Sequence, residues 1–178
     1  MNKLTKNKFK KTIKKTIKKY KKNKIGGSEK AIDWTDKSTV LEQVSSDGYL
    51  LRKASTNLKS DIDIIITSII NEPLAFKFIK PLELQISLSN NKHFFSTILP
   101  ENGELYKYMD ESLKYDFELI IIALQQNGLI LKYIPDEIKN KNIDIVNIAV
   151  IQNGLSLEYA TEFQNDLMIV LSAVSNNG

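Results

Sequence analysis

A chain of 178 residues is long enough for about one domain with a buried core. The absence of cysteine excludes a disulfide framework and thiolate chemistry. No apolar run approaches the roughly 20 residues that a membrane span requires, and no apolar stretch follows the N-terminal lysines as in a secretory signal. We therefore expect an intracellular protein, located in the cytoplasm or the nucleus.

The net charge of +4 conceals a division of charge along the chain. Residues 1–24 hold 12 lysines and no acidic residue, which leaves 13 basic residues against all 21 acidic ones in the remainder. Such an asymmetry indicates a basic arm joined to an acidic body. We assign residues 1–28 to the arm, which ends in a flexible Gly-Gly-Ser joint, and residues 29–178 to the body.

The arm has the pattern of an amphipathic helix with one narrow apolar stripe, formed by Phe9, Ile13, Ile17 and Tyr20. Lysines four residues apart repel one another along such a helix. We therefore expect the arm to be disordered alone and helical when a partner neutralises its charge. The candidate anion-binding residues are Lys10, Lys11, Lys14, Lys15, Lys18, Lys19, Lys21 and Lys22.

Four roles are open for this arm. It could bind DNA or RNA through phosphate contacts that do not read sequence. It could bind an acidic protein, including the acidic body itself. An anionic membrane surface is a less favoured partner. The arm could also be a solvated tail or a nuclear address.

The body repeats itself with a period of about 25 residues. NGLILKYIPDEI begins at Asn127 and NGLSLEYATEF begins at Asn153. The repeat anchors are Gly48, Pro73, Gly103, Gly128, Gly154 and Gly178. The longer spacing between Pro73 and Gly103 indicates an insertion of about five residues within PLELQISLSN, which begins at Pro81.

An Asp or Asn lies twelve residues before every anchor and marks a repeat start: Asp36, Asp61, Asn91, Asp116, Asn142 and Asp166. These residue types are favoured helix N-caps, and apolar residues follow most of them at helical spacing. We therefore predict a first helix of about eleven residues in each repeat. We expect the anchor glycine to end that helix in the left-handed conformation, so that Gly128→Ala or Gly154→Ala would cost about 1 kcal/mol.

A second apolar pattern follows each anchor and predicts a second helix of roughly eight residues. Its aromatic residues include Phe76, Phe78, Tyr106, Tyr108, Tyr133 and Tyr159, which we interpret as core rather than as a ladder that stacks on a ligand. The predicted fold is all-α, with αα-hairpins of about 25 residues stacked as a short α-solenoid. The final helix, LMIVLSAV from Leu167, is as apolar as the inner ones. It is expected to dock on the body or to be covered by another chain.

The sequence motif NG-L-x-L-x-Y-A follows a predicted helix that ends with Ala-Val or Ala-Leu. This motif resembles the repeat of domain-of-unknown-function family 4116. That family occurs in proteins of large DNA viruses and protists. The resemblance covers most of residues 36–178 and none of the arm, and Pro73 departs from the repeat glycine. It implies a helical repeat architecture, no activity and no functional residues.

Catalytic and metal chemistry have little support in the sequence. His93 is the only histidine and Arg52 the only arginine, and no glycine-rich phosphate loop is present. The pairs Asp61 with Asp63 and Asp116 with Glu118 occupy the cap and second positions of predicted helices, where the helix dipole favours acids. We expect no catalytic residue, metal or cofactor, and we interpret His93 as a surface or packing residue.

Two functions are consistent with this organisation. The first is a non-catalytic protein-interaction or scaffold protein that binds a partner, or itself, through the repeat surface and the final helix. The alternative is a nucleic-acid-associated protein or virion structural protein that uses the lysine-rich arm.

Overall fold

The structure is a computed structural model that describes residues 11, 15, 16 and 32–176. Every regular element in this part of the chain is helical, and no strand occurs among these residues. The prediction of an all-α tandem-repeat fold is confirmed. Eight α-helices occur between residues 37 and 176: α1 Lys37–Ser46, α2 Ile62–Asn71, α3 Leu82–Ser89, α4 Lys92–Ile98, α5 Phe117–Gln126, α6 Asp136–Lys139, α7 Ile143–Gln152 and α8 Leu167–Asn176.

Six of these helices open the six repeats, and their predicted N-caps are confirmed. These are α1, α2, α4, α5, α7 and α8, preceded by Asp36, Asp61, Asn91, Asp116, Asn142 and Asp166 respectively. In each case the cap side chain accepts a hydrogen bond from a backbone N–H in the first helical turn. Such bonds satisfy amides that have no partner within the helix. Five of the helices have ten residues and α4 has seven.

The second element of the repeat is a 3₁₀ helix of six residues, so the predicted αα-hairpin with an eight-residue second helix is corrected. These elements are Gly48–Lys53, Pro73–Phe78, Gly103–Tyr108, Gly128–Tyr133 and Gly154–Tyr159. The apolar pattern explains the difference. Buried residues fall three and six positions after the anchor, as Leu131 and Ile134 do after Gly128. A three-residue period matches the 3.0 residues per turn of a 3₁₀ helix.

The left-handed conformation that we predicted for the anchor glycines is absent at the four that the structure describes, which are Gly48, Gly103, Gly128 and Gly154. Among residues 32–176 no glycine has a positive φ. Before Gly48, Gly128 and Gly154, the preceding residue ends the α-helix instead, by adopting an extended conformation. Asn127, for example, has φ −150° and ψ 105°, and its side chain accepts a hydrogen bond from Leu129 N–H at the start of the 3₁₀ helix. The anchor glycines are required for a different reason, which concerns packing between repeats.

The segment from Pro81 contains the predicted insertion. In other repeats a short segment connects the 3₁₀ helix to the next N-cap. Leu58–Ser60 and Thr161–Phe163, each one turn of 3₁₀ helix, lie in such connections. After Pro73–Phe78 the chain instead forms the eight-residue helix α3 before it reaches Asn91. The insertion therefore lengthens the connection and leaves the repeat itself intact.

The described chain forms two compact units, residues 32–98 and residues 99–176. In the first, α1 packs on α2 around a core that includes Val40, Val44, Ile65 and Ile69. In the second, α5 packs on α7 and α7 packs on α8, around a core that includes Leu119, Ile120, Val146 and Val150.

Candidate interaction surface

Successive repeats are in backbone contact where the anchor glycine of one repeat lies against a small residue in the α-helix of the next. A β-carbon built on Gly128 would lie 2.3 Å from the carbonyl oxygen of Ala149, and one on Gly154 would lie 2.2 Å from that of Ala173. Gly48 stands in the same relation to Ser68, and Gly103 to Ala123. In each pair the second residue is seven positions after its own N-cap. The glycine is therefore required because its backbone touches the backbone of the next repeat's α-helix.

An amide side chain ten residues after the N-cap links neighbouring repeats, and we call it the amide clasp. The clasp of α7, Gln152, accepts from Gly128 N–H and donates through Nε2 to the carbonyl of Gln126 at 3.2 Å. Asn176 of α8 accepts in the same way from Gly154 N–H, and it donates to the carbonyl of Ile151, one residue earlier in the repeat than the position of Gln126. The clasp thus satisfies the first N–H of a 3₁₀ helix and a carbonyl at the end of an α-helix.

Sequence reasoning missed the clasp, although a signal for it was present. Asn71, Gln126, Gln152 and Asn176 recur two residues before the anchors. Asn71 also reaches back to the preceding helix, where its Nδ2 donates to the carbonyls of Val44 and Ser45. A recurrent amide at one position of a repeat indicates a hydrogen bond that the repeat itself requires.

Two of the repeat helices, α4 and α1, have no small residue at the position that contacts an anchor glycine in the other repeats. Where the anchor is Pro73, the residue seven positions after the next N-cap is Ile98 rather than a small residue. The first repeat has Gln43 at this position and Ser46 at the clasp position. Helix α1 therefore lacks both features that α2, α5, α7 and α8 use to contact the preceding repeat, and α4, with Ile98 and Glu101 at the two positions, lacks them as well.

Helix α8 presents an exposed apolar face, which we call the outer face: Leu167 (70% exposed), Met168 (70%), Leu171 (52%) and Val174 (57%). Leu167, Leu171 and Val174 are spaced by four and three residues, which places them on one side of the helix. The opposite side holds Ile169 and Ala173, which are buried. The outer face is thus a continuous apolar stripe on the surface of its unit.

Two of these four positions are covered in the inner repeats, whereas the positions of Leu167 and Met168 are exposed in α5 and α7. Val174 corresponds to Ile69, Leu124 and Val150, each 0% exposed. Leu171 corresponds to Ile66, Ile121 and Asn147, which are buried or half-buried. Leu171 and Val174 therefore occupy positions that the inner repeats cover, and they form the part of the outer face that most resembles a contact between repeats.

The aromatic residues of the 3₁₀ helices divide into two groups, which corrects part of our prediction. Phe76 and Tyr106, three residues after their anchors, are buried as expected. The aromatic residues five positions after the anchors are half-buried or exposed: Phe78, Tyr108, Tyr133 and Tyr159. The three-residue period turns this position outward. Lysines lie against Tyr133, with Lys107 Nζ 5.2 Å and Lys132 Nζ 4.8 Å from the ring centroid.

Three residues of the arm belong to the described part of the chain. Lys11 and Lys15 are helical and exposed, and Thr16 is helical and buried. The Thr16 hydroxyl donates a hydrogen bond to Asp63 of α2. The other candidate lysines, Lys10, Lys14, Lys18, Lys19, Lys21 and Lys22, lie outside the described residues. The proposed states of the arm therefore stay predictions.

The acidic pairs have the structural positions that we expected. Asp61 caps α2 and accepts from Asp63 N–H and Ile64 N–H. Lys37 Nζ lies 2.7 Å from an Asp61 oxygen and 3.0 Å from an Asp63 oxygen. Burial lowers the pKa of the Lys37 ammonium, but the hydrogen bonds to both carboxylates outweigh this effect, so the pKa is raised. The group is a charged link between α1 and α2.

His93 lies half-buried in α4, and its Nε2 atom makes no hydrogen bond within the described part of the chain. Its backbone carbonyl accepts from the hydroxyls of Ser96 and Thr97. Across the described residues no cluster of three or more His, Cys, Asp or Glu side chains could hold a metal ion. Within the same part of the chain, no helix is both long enough and apolar enough to span a membrane.

The comparisons with known proteins agree with the repeat analysis. Neither a curated protein nor a solved structure matches the chain. The sequence profile of the family described as Domain of unknown function (DUF4116) matches residues 36–85, 91–139 and 142–178. Each matched segment begins at an N-cap residue and contains two of the six repeat starts, so one family unit equals two of our repeats. Because the matches cover most of the chain, this protein is a member of the DUF4116 family.

Proposed function

We propose that this protein is a non-catalytic interaction module that binds a partner protein through the outer face of α8. The observation that supports the proposal is the exposure of Leu167, Met168, Leu171 and Val174 on one side of a helix. An apolar stripe of this kind marks a protein interface more often than ordinary surface. Full burial of each side chain would contribute roughly 1.5–3 kcal/mol to association, before the entropy cost of binding.

The fold gives this face a rigid support. Asp166 caps the first turn of α8 by accepting from Met168 N–H and Ile169 N–H. Asn176 joins the last turn to Gly154 and Ile151 of the preceding repeat. Because both ends of the helix are tied to hydrogen-bond partners, the apolar side chains are presented at defined positions, which lowers the ordering cost of binding.

Affinity capture with three versions of the full chain tests the proposal. The unmodified chain, Leu171→Asp and Leu82→Asp are immobilised, and the retained proteins are identified and then tested as purified proteins by calorimetry. Leu82 is a matched control because it is also an exposed leucine, at 54%, but lies on α3. We expect a partner that binds the unmodified chain and Leu82→Asp but not Leu171→Asp. Equal binding to all three would overturn the proposal.

A second function, association with nucleic acid or with a virion, is supported by the arm. Lys11 and Lys15 are both exposed, and their spacing of four residues places them on one side of a helical segment. Lysines in this arrangement can contact phosphates without reading bases. This role is compatible with the first, because the arm and the outer face of α8 are separate parts of the chain.

Fluorescence anisotropy with labelled duplex DNA and RNA, at low and at moderate salt, tests the second function. The full chain is compared with a variant in which the eight candidate arm lysines become glutamine. The control is Lys80→Gln with Lys141→Gln, two exposed lysines of the body. We expect salt-sensitive binding that the control retains and the arm variant loses. Absence of binding at low salt would exclude this role.

A further inference from the structure

We infer that the basic arm docks on helix α2 of its own chain, with the side of the arm that carries Thr16 against Asp63, Ile66, Thr67 and Ile70. We call these four residues of α2 the α2 stripe. The arm and α2 belong to the same compact unit, so the contact lies within that unit. The inference is independent of the outer face of α8. It draws on the burial of the α2 stripe, on the contact made by Thr16 and on the sequence of the arm.

The α2 stripe lies on the side of α2 that faces away from the core. Its members are three, four and seven residues after Asp63, which places them on one side of the helix. Ile65 and Ile69, on the opposite side, belong to the core. A helix at the surface of a domain normally leaves the side opposite the core to solvent. In α2 this side is covered instead, since Ile66 is 0% exposed, Ile70 is 7% exposed and Thr67 is buried.

The corresponding positions of the second unit are more open. Ile70 corresponds to Gln125 of α5, which is exposed, and to Ile151 of α7, which is 56% exposed. Ile66 corresponds to Ile121 and Asn147, which are both half-buried. The repeat architecture alone therefore leaves this side of the helix partly open to solvent.

The described neighbours of α2 do not explain its additional cover. Helix α2 packs against the preceding repeat helix, α1, and against the 3₁₀ helices Gly48–Lys53 and Pro73–Phe78. Helix α7 has neighbours of the same kinds, namely α5, α8 and the 3₁₀ helices Gly128–Tyr133 and Gly154–Tyr159. Because equivalent neighbours leave Ile151 exposed, a further segment of the first unit must cover Ile66 and Ile70.

Thr16 identifies that segment as the arm. Its side chain is buried, and its hydroxyl donates a hydrogen bond to Asp63, the first residue of the α2 stripe. Lys11 and Lys15 are helical and exposed. At roughly 100° of rotation per residue, these two lysines are directed at least about 100° away from Thr16 around a helix. The described arm residues therefore define one side that faces α2 and another that faces solvent.

The sequence of the arm supplies apolar residues on the side that faces α2. The helical pattern places Phe9, Ile13 and Tyr20 within about 60° of Thr16. An amphipathic helix becomes stable when its apolar side is buried, which offsets the repulsion among its lysines. Lys11 and Lys15 stay exposed in this arrangement, so docking leaves them available to an anionic partner.

A disulfide tests the contact directly. The chain has no natural cysteine, so Thr16→Cys with Asp63→Cys introduces a single pair of thiols. Oxidised glutathione should convert this pair to a disulfide within one chain, detected by mass and by the loss of both free thiols. The control is Lys11→Cys with Asp63→Cys, which shares the substitution in α2 and should form little disulfide. Equal disulfide formation in the two variants would overturn the assigned side of the arm.

Thiol accessibility tests whether the arm covers the α2 stripe. Ile70→Cys should react slowly with a thiol reagent. Adding Thr16→Glu should raise its rate about tenfold, because the like charge of Asp63 repels the glutamate and the open state becomes more populated. The matched probe is Ile151→Cys, which should react at the same rate with and without Thr16→Glu.

Thr161→Glu is the control for the substitution in the arm. Thr161 is an exposed threonine of the second unit, so its replacement should leave the thiol of Ile70→Cys protected. Circular dichroism confirms that every variant is folded. An unchanged rate for Ile70→Cys when Thr16→Glu is added would overturn the inference, since the body alone would then cover α2. Neither experiment involves a partner of α8 or a nucleic acid, so this failure would leave both proposed functions untouched.

Discussion

The backbone of Gly128 lies directly against the carbonyl of Ala149 in the next repeat. A β-carbon at position 128 would be 2.3 Å from that oxygen, a separation that real β-carbons essentially never show. The contact couples two elements in neighbouring repeats, the start of a 3₁₀ helix and the second turn of α7. The repeat glycine is therefore selected by close approach between backbones rather than by an unusual φ angle.

Alanine at an anchor glycine is expected to destabilise the protein in proportion to the overlap. Gly128→Ala and Gly154→Ala should each lower the free energy of unfolding by about 2–3 kcal/mol, because overpacking against rigid backbone forces the repeats apart. Gly103→Ala should have a smaller effect, since its β-carbon would lie 2.7 Å from the Ala123 oxygen. Urea denaturation of the three variants gives the free energy of unfolding of each and therefore the ranking of the three losses.

Comparing Gly128→Asn with Gly128→Ala distinguishes two explanations for the glycine: close packing against the next repeat, and a left-handed backbone conformation. Asparagine tolerates a left-handed backbone better than alanine does. A helix-ending role would therefore make Gly128→Asn milder than Gly128→Ala. We expect the reverse, because asparagine adds more atoms beside the Ala149 carbonyl. A milder asparagine variant would show that the packing explanation is wrong.

The amide clasp should contribute measurably to stability even though it lies near the surface. Gln152→Ala removes the acceptor for Gly128 N–H and the donor to the Gln126 carbonyl. At about 0.5–1.5 kcal/mol for each bond, we expect a loss of about 1–2 kcal/mol by thermal or urea unfolding.

Gln125 provides the control for this prediction. It is an exposed glutamine of α5, and its side chain makes no hydrogen bond to any residue that the structure describes. Gln125→Ala should change the free energy of unfolding by no more than about 0.5 kcal/mol. If the two alanine variants have equal stability, then the clasp contributes nothing and Gln152 is ordinary surface.

The sequence was sufficient to predict the N-caps, because a cap is a local interaction. Asp116, for instance, needs only the amides of the next turn, and the residue type alone indicates that role. The repeat period and the insertion near Pro81 followed from the same local pattern. The predicted glycine C-cap was wrong, because the same Asn-Gly pair can end an α-helix in two ways. The choice depends on the neighbouring repeat, which local propensity does not include.

The candidate surface was only partly predictable for the same reason. The apolar character of α8 was visible in its sequence, but the exposure of Leu171 and Val174 depends on which side of the helix meets α7. Tyr133 faces outward because its segment is a 3₁₀ helix with a three-residue period, whereas the predicted α-helix has a period of 3.6 residues. The clasp of Gln152 spans two repeats and appears only when the repeats are placed side by side.

The Asp36 cap should give the first helix a dependence on acidic pH. The Ser38 hydroxyl and then the Thr39 backbone N–H donate to this carboxylate and lower its pKa from 3.8 to about 2. A depressed pKa means that the ionised carboxylate stabilises the fold above its ordinary pKa. That contribution is lost as the pH falls from about 4 toward 2. Carboxyl-carbon NMR titration should place the Asp36 midpoint near the lower value.

Asp36→Asn separates this effect from general acid unfolding, since asparagine caps a helix without titrating. The unmodified chain should be the more stable of the two near neutral pH. The difference in melting temperature should shrink as the pH falls through the range between the two pKa values. A difference that stays constant across this range would contradict a titrating cap at position 36.

Two asparagines in one repeat should respond to alanine with opposite signs. Asn142 caps α7 by accepting from Ile145 N–H, so Asn142→Ala should lower the free energy of unfolding by about 1 kcal/mol. Asn147 lies half-buried within the same helix, and among the described residues its side chain has no hydrogen-bond partner. Asn147→Ala should therefore raise the free energy of unfolding by a few tenths of a kcal/mol through better helix propensity. Urea denaturation of both variants measures the two signs. Equal destabilisation at both positions would mean that α7 begins elsewhere than at Asn142, because the cap would then have no special role.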